Sequence, residues 1–316
     1  MKVLVNDPLD PAALAELQKE FEVTNQHYSP AELLTEIGKY HAVIVRSATK
    51  LPREVIEKGT QLKVIGRAGI GVDNIDVQAA TERGILVVNA PRSSVISVAE
   101  LTLTYMLALS CRLVNVTNET KSNMNPKKWL RRTELHDKIL GCIGCGKIGS
   151  EVITRAKVFG MKCLIYSPNT PSEVTERMGV ERTDDLDYLL QVSDFVTIHT
   201  KLKAETQGLI SRRELELMKS TAYLINCARG GIVDENALYV ALKDNKIAGA
   251  ALDVFTDEPV RNNKLFELEN IYVSPHIGAS TTEAQKRVGH VIVDQIKKAL
   301  KGHTPDFIVE KSYFRN

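Results

Sequence analysis

The sequence predicts an α/β protein with parallel sheets covered by helices on both faces, divided between two domains. Short, nearly continuous apolar runs recur along the chain: KVLV at 2–5, AVIVRS at 42–47, KVIGRAG at 63–69, ILVVNAP at 85–91, ILGCIG at 139–144, KCLIYS at 162–167, DFVTIHT at 194–200, AYLINCA at 222–228 and GAALDV at 249–254. Strands buried on both faces read this way, and the helical stretches between them make βαβ units. A length of 316 residues exceeds what most single cores hold, so two domains are expected.

Composition narrows the class. Hydrophobic residues make up 43% and charged residues 25%, with a formal charge of +2, too small to suggest a nucleic-acid partner or a membrane surface. No apolar run approaches the roughly 18–20 residues of a membrane helix. The start, MKVLVNDPLDP, breaks its apolar run at Asn6, Asp7 and Pro8, which reads as a first strand and turn and not as a signal peptide. Five scattered cysteines form no disulfide framework, and a cytoplasmic location is expected.

The longest helical signal starts at Ser97. Ser97 and Glu100 fit a capping box ahead of the apolar run LTLTYMLALSCRLV. A polar arm, NETKSNMNPKKWLRRTELHD, follows, and the next strand is expected at about Lys138. The arm holds the only tryptophan, Trp129, between Lys127–Lys128 and Arg131–Arg132. It reads either as a solvated basic turn or as a surface that a partner buries.

The stretch LGCIGCGKIG at 140–149 holds two overlapping motifs. Cys142 and Cys145 spell C-x-x-C, but a structural zinc site needs two further ligands and no second cysteine pair exists. Gly144, Gly146 and Gly149 spell G-x-G-x-x-G after a strand and at the opening of the helix GSEVITRAKVFG, with a second strand following at once. That is the setting of a dinucleotide-binding loop. Gly144 would allow the tight turn, Gly146 the approach of the pyrophosphate, and Gly149 close packing of helix on strand. The N–H groups of Lys147 and Ile148 would face the phosphates at the positive end of the helix. The second strand ends in Ser167 where an acidic residue usually holds the ribose 2′-hydroxyl, and the next basic residue is Arg177. NAD is the expected cofactor, with NADP tolerated and not recruited.

Three later segments, INCARGGIVDE at 225–235, ALDVFTDEP at 251–259 and SPHIGAST at 274–281, read as loops at the carboxyl ends of strands, where an open α/β sheet places its site. With VRSATK (45–50), GRAGIGVDNID (66–76), GILVVNAP (84–91) and the glycine loop, they make the chain resemble the D-isomer-specific 2-hydroxyacid dehydrogenases from about residue 2 to about 300.

The resemblance implies two Rossmann-like or flavodoxin-like domains with parallel sheets, the cofactor domain inserted in a discontinuous substrate domain. Boundaries at 1–94 plus 282–316 and at 95–281 follow, with chain crossings near Pro91–Ser97 and Gly278–Glu283 as hinges for closure. It implies hydride transfer between nicotinamide C4 and substrate C2. His276 would be the general acid/base, Glu258 would hold its imidazole, and Arg229 would grip the carboxylate and polarise the carbonyl. Gly69 and Ile70 would bind the substrate carboxylate through their amides, and Asp253 the nicotinamide carboxamide. Ser167, Thr200, Cys227, Ala228, His276 and Gly278 complete the expected cofactor surroundings.

Arg46, Ser47 and Lys50 of VRSATK offer a phosphate grip. The resemblance implies that the matching Arg and Ser lie by a substrate phosphate, joined by Arg131 or Arg132 from a partner subunit's arm, and a phosphorylated three-carbon hydroxy acid as the substrate, with glyoxylate or hydroxypyruvate reduction as the alternative. A homodimer through the cofactor domain and the Trp129 arm is expected, without metal, nucleic acid or membrane. Relatives acting on phosphorylated acids often add a serine-sensing domain; this sequence leaves no room for one beyond residue 316, so serine feedback through it is not expected. Some relatives are instead NAD-responsive corepressors, a reading that the same Arg, Glu and His do not exclude.

Overall fold

A computed structural model describes residues 1–126, 130–168 and 170–309. The chain divides into two units, Met1–Ser94 with Ala279–Asn316, and Val95–Gly278.

The first unit alternates β1 (Lys2–Val5), α1 (Pro11–Gln18), β2 (Glu22–Asn25), α2 (Pro30–Glu36), β3 (Ala42–Val45), α3 (Arg53–Lys58), β4 (Val64–Arg67), α4 (Val77–Glu82) and β5 (Leu86–Asn89). All pairs are parallel in the order β2-β1-β3-β4-β5. Local signals start the helices. Asp10 accepts from the amides of Ala12 and Ala13, Ser29 and Glu32 form a capping box, and Asp76 accepts from the Ala79 amide, each such cap being worth about 1 kcal/mol. Leu4, Val43, Ile56 and Ile65 pack on one face of the sheet, and Val3, Val5, Ile44 and Val64 on the other.

The second unit runs α5 (Val95–Cys111), α6 (Leu113–Lys121), β6 (Ile139–Ile143), α7 (Lys147–Val158), β7 (Lys162–Tyr166), α8 (Ser172–Met178), β8 (Glu181–Thr183), α9 (Leu186–Val192), β9 (Phe195–Ile198), α10 (Arg212–Leu217), β10 (Tyr223–Asn226), α11 (Glu235–Lys243), β11 (Gly249–Leu252) and β12 (Ile271–Val273). Its sheet is also parallel, in the order β12-β11-β10-β9-β6-β7-β8. The chain winds one way from β6 through β7 to β8, then returns to the other side of β6 with β9. Such a reversal opens a crevice at the carboxyl ends of β6 and β9. The final helix, α12 (Thr282–Leu300), belongs to the first unit. There its Ile292 and Ile296 are buried with Val5 and Ile44, each burial contributing roughly 1.5–3 kcal/mol.

Several expectations need correction. Helix α5 starts at Val95, so Ser97 lies inside it, buried, and is not its cap. The helical run breaks at Arg112, whose φ of 49° is left-handed, and turns by 58° into α6. Asn118–Lys121, read as the start of a polar arm, are therefore helical. Strands β2, β8 and β12 gave no apolar run. β2 and β8 are half-exposed edge or near-edge strands of polar residues, and β12 has three residues, too few for periodicity to register. The tail is strand-like where described: Val309 donates to the Val87 carbonyl at 2.9 Å, and Phe307 accepts from the Asn89 amide at 3.2 Å. Lys127, Lys128, Trp129 and residues 310–316 lie outside the described residues. Among the described residues, no single helix is long and apolar enough to cross a membrane.

Candidate active site

The glycine loop forms the turn from β6 into α7, at the point where the second sheet reverses. Gly144 has φ of 94°, and a Cβ there would lie 2.8 Å from the His199 carbonyl oxygen at the end of β9. A side chain is thus excluded both by conformation and by space. A Cβ on Gly149 would come within 2.4 Å of the Gly144 oxygen, so the helix sits directly against the loop. Gly146 differs: its backbone is extended and a Cβ would meet nothing within 4 Å. Among the described residues nothing requires glycine there, whereas a pyrophosphate approaching the backbone does. No side chain caps α7 at Gly146, which leaves the first amides, including those of Lys147 and Ile148, directed to the crevice. These residues fit a dinucleotide.

All five cysteines are free thiols. Cys142 is buried in β6 with its Sγ 3.3 Å from the Gly144 oxygen, and burial pushes its thiol up. Cys145 packs against Ser150 and Met178.

At the end of β7, Ser167 Oγ accepts from the Cys145 amide at 3.3 Å and bonds to Thr170 Oγ1 at 2.8 Å. Sequence order suggested Arg177 as the nearest base; the fold brings Arg182 instead, because β8 runs parallel beside β7. Arg182 donates to the Thr170 oxygen at 2.6 Å, to the Pro168 oxygen at 3.4 Å and to Asp184 at 2.8 Å. Its charge is therefore answered by Asp184, and its fork closes the 167–170 turn. Asn169 in that turn lies outside the described residues.

The three loops after β10, β11 and β12 carry Arg229, Glu258 and His276. Buried Asn226 shapes the first: its amide donates to the Arg229 oxygen at 2.9 Å and its oxygen accepts from the Ala228 amide at 3.0 Å. A Cβ on Gly230 would lie 1.9 Å from the Phe255 oxygen, so this loop and the one after β11 touch through backbone. Glu258 Oε1 accepts from the Phe255 amide at 3.1 Å, and Oε2 lies 2.7 Å from His276 Nδ1. Burial alone would raise the Glu258 carboxyl; the His276 contact, the Phe255 amide and the Arg229 charge outweigh it and hold it below the usual range. With Nδ1 engaged, Nε2 is the ring atom left for proton transfer.

Asp253, 1% exposed, is the hub beneath His276. Its Oδ1 accepts from the Ile277 amide at 2.7 Å and from Ser274 Oγ, and its Oδ2 accepts from the Gly278 amide at 2.8 Å. Its backbone oxygen accepts from the His276 amide at 2.8 Å. Tyr105 Oη in turn donates to Ser274. Three residues of one loop thus close on one carboxylate and hold His276 at a left-handed φ of 57°, a conformation that non-glycine residues rarely adopt without support. Sequence reading gave Asp253 to the nicotinamide carboxamide; the structure engages it in building the histidine loop. His199 is also new. Its Nε2 lies 2.9 Å from Thr197 Oγ1 and its Nδ1 is buried without a partner among the described residues. Burial lowers its pKa to about 3, so a neutral imidazole backs the glycine loop. Thr200, Cys227 and Ala228 stand at the ends of β9 and β10, and the Thr200 amide is 3.1 Å from where a Gly144 Cβ would be.

The other expected residues are in the first unit, Arg131 excepted. Arg46 follows β3 half-buried, beside exposed Ser47 and Lys50. Gly69 follows β4 under the Arg67 guanidinium, which occupies the space a Cβ would need, and the Ile70 oxygen accepts from Asn89 at 2.7 Å. Arg131 and Arg132 are exposed in the second unit.

Residues 103–278 match the NAD binding domain of the D-isomer specific 2-hydroxyacid dehydrogenases. A D-3-phosphoglycerate dehydrogenase of Methanocaldococcus jannaschii is 49% identical over 310 residues, covering 98% of this chain and 59% of its own. The chain spans little more than half the length of several phosphoglycerate relatives. A hydroxypyruvate reductase of Thermotoga maritima is 45% identical, covering 95% of this chain and 98% of its own. The solved structure of D-lactate dehydrogenase from Aquifex aeolicus with NAD and lactic acid superposes with a TM-score of 0.87 at 31% identity, over 96% of each chain. The chain belongs to the D-isomer specific 2-hydroxyacid dehydrogenase family.

Proposed function

We propose that the chain oxidises D-3-phosphoglycerate to 3-phosphohydroxypyruvate with NAD, the entry reaction of serine synthesis from a phosphorylated precursor. The observation that carries the chemistry is the 2.7 Å contact of His276 Nδ1 with Glu258, on a loop built around Asp253. In the oxidation, the substrate hydroxyl gives its proton to His276 Nε2 while the C2 hydrogen leaves as hydride and the C2–O bond becomes a carbonyl. NAD, when bound, supplies the hydride acceptor. Glu258 steadies the imidazolium that forms, so the proton transfer does not leave an unpaired charge. Arg229 holds the substrate carboxylate and polarises the oxygen at C2. The amides of Gly69 and Ile70 serve the same carboxylate.

Phosphate recognition is assigned to Arg46, Ser47 and Lys50, with Arg131 or Arg132 contributed by a partner subunit. The phosphoglycerate relatives support this choice. A homodimer through the second unit accords with the exposed Leu113 and Val114 on α6 and Met124 beyond it. The protein acts in the cytoplasm. Hydroxypyruvate reduction is the second reading, favoured by the Thermotoga relative that this chain spans almost entirely.

The test is initial rates on 3-phosphoglycerate and 3-phosphohydroxypyruvate against glyoxylate and hydroxypyruvate, each with NAD(H) and NADP(H). A strong preference for the phosphorylated pair with NAD(H) is expected. Activity confined to the unphosphorylated acids would reduce Arg46 and Lys50 to surface charges.

A further inference from the structure

The strand order of the first sheet reverses between β1 and β3, and at the carboxyl ends of those two strands stands a buried polar cluster. Such a reversal is where open α/β sheets take ligands. Here the cluster faces the segment Arg46–Thr49. Asp7, 3% exposed, accepts from the Arg46 amide through Oδ2 at 2.6 Å and from Thr49 Oγ1 through Oδ1 at 2.8 Å. Asn6, 1% exposed, donates to Thr49 Oγ1 at 2.8 Å while its oxygen accepts from the Tyr28 amide at 2.9 Å. From the opposite side, Asn74 donates through one nitrogen to the oxygens of Arg46 at 2.7 Å and Thr49 at 2.6 Å.

The Thr49 hydroxyl is the keystone, since it is buried and both accepts from Asn6 and donates to Asp7. Both ends of the four-residue turn are thus tied through backbone and side chain. Ser47 and Lys50 remain exposed. A buried carboxylate, a buried amide at Asn6 and a half-buried one at Asn74 cost desolvation that only full pairing offsets. A turn needing no fixed shape could use apolar residues there.

We propose that Asp7, Thr49 and Asn74 are positioning residues that fix the backbone of residues 46–50, so that the Arg46 and Ser47 groups meet a substrate phosphate in one geometry. The inference rests on the phosphate role given to Arg46 above. None of the three touches the substrate; they act by keeping Arg46 from sampling other directions, which lowers the ordering cost of binding.

The test compares kcat and KM of Thr49→Val, Thr49→Ser and Arg46→Ala on 3-phosphohydroxypyruvate and on hydroxypyruvate, with thermal unfolding of each. Thr49→Val is expected to raise KM for the phosphorylated acid about tenfold, as losing a buried hydrogen bond does. Its kcat and its constants on hydroxypyruvate should stay within about threefold, and Thr49→Ser should restore the KM. An equal loss on both acids, or a KM that does not move, overturns the positioning role if Arg46→Ala still loses the phosphorylated acid selectively. If Arg46→Ala shows no such selectivity, the phosphate reading itself fails, and the inference with it. Should Thr49→Val not fold, Asn74→Ala read in the same way decides the matter.

Discussion

The carboxyl edges of the two sheets shape their loops by different means. In the second unit a single carboxylate, Asp253, gathers three donors from one short segment, Ser274, Ile277 and Gly278, and an exposed-edge pair, Glu258 with His276, stands on top. In the first unit the segment 46–49 is held by residues from two distant places in the chain, the adjacent pair Asn6–Asp7 and Asn74, through mostly amide and hydroxyl contacts. The contrast accords with the two tasks proposed for these loops. A proton-transferring histidine needs a fixed ring and a charge partner, whereas an anion grip needs a fixed backbone that carries the cation without neutralising it.

The strongest way to break this contrast is to remove the imidazole. His276→Gln should lower kcat by about 10²–10⁴-fold on every 2-hydroxy acid while NADH binding, read by fluorescence titration, persists. Retained turnover would place the acid/base elsewhere. Asp253→Ala should cost about 2–4 kcal/mol of stability because three donors lose a buried charged acceptor. Denaturant unfolding measures it, and a loss below about 1 kcal/mol would deny the hub.

Glu258→Gln should lower kcat by about 10–100-fold, the imidazolium losing its counter-charge. It also carries a pH signature. The Glu258 carboxyl is held below its ordinary value, so the ionised form favours the folded state. The stabilisation is fully present above the ordinary carboxylate range and fades as pH falls through the lowered value. The gap in melting temperature between wild type and variant should therefore close on acidification below about pH 4; a gap independent of pH would contradict the pairing. The smallest effect is expected at Arg182. Because Asp184 already answers its charge, Arg182→Ala should shift the NAD to NADP ratio of kcat/KM by no more than about threefold, and a tenfold shift would make it a 2′-phosphate ligand.

These regions were unequally legible. Buried strands such as AVIV at 42–45 and YLIN at 223–226 announce themselves because parallel sheets bury both faces, and the glycine spacing at 144–149 marks a turn that admits no side chain at Gly144 and Gly149. Arg229, Glu258 and His276 were legible as candidates because each sits in a distinctive loop. The Asp253 hub and the cluster on Thr49 were not, since their meaning depends on neighbours far away in sequence: Asn6 and Thr49 are 43 residues apart. Ser97 shows the opposite error. A capping pattern was present, but tertiary burial carried the helix two residues past it to Val95. Arg182 was hidden for the same reason as Thr49, being brought to the Ser167 turn by strand pairing and not by sequence proximity.

The most direct measurement of this division of labour sets Arg46→Ala beside His276→Gln, each assayed on 3-phosphohydroxypyruvate and on hydroxypyruvate with NADH. Arg46→Ala should lose about 10²-fold in kcat/KM on the phosphorylated acid and almost nothing on the other, and His276→Gln should lose both alike. Equal losses on the two acids for Arg46→Ala would contradict the assignment of phosphate recognition to the first unit.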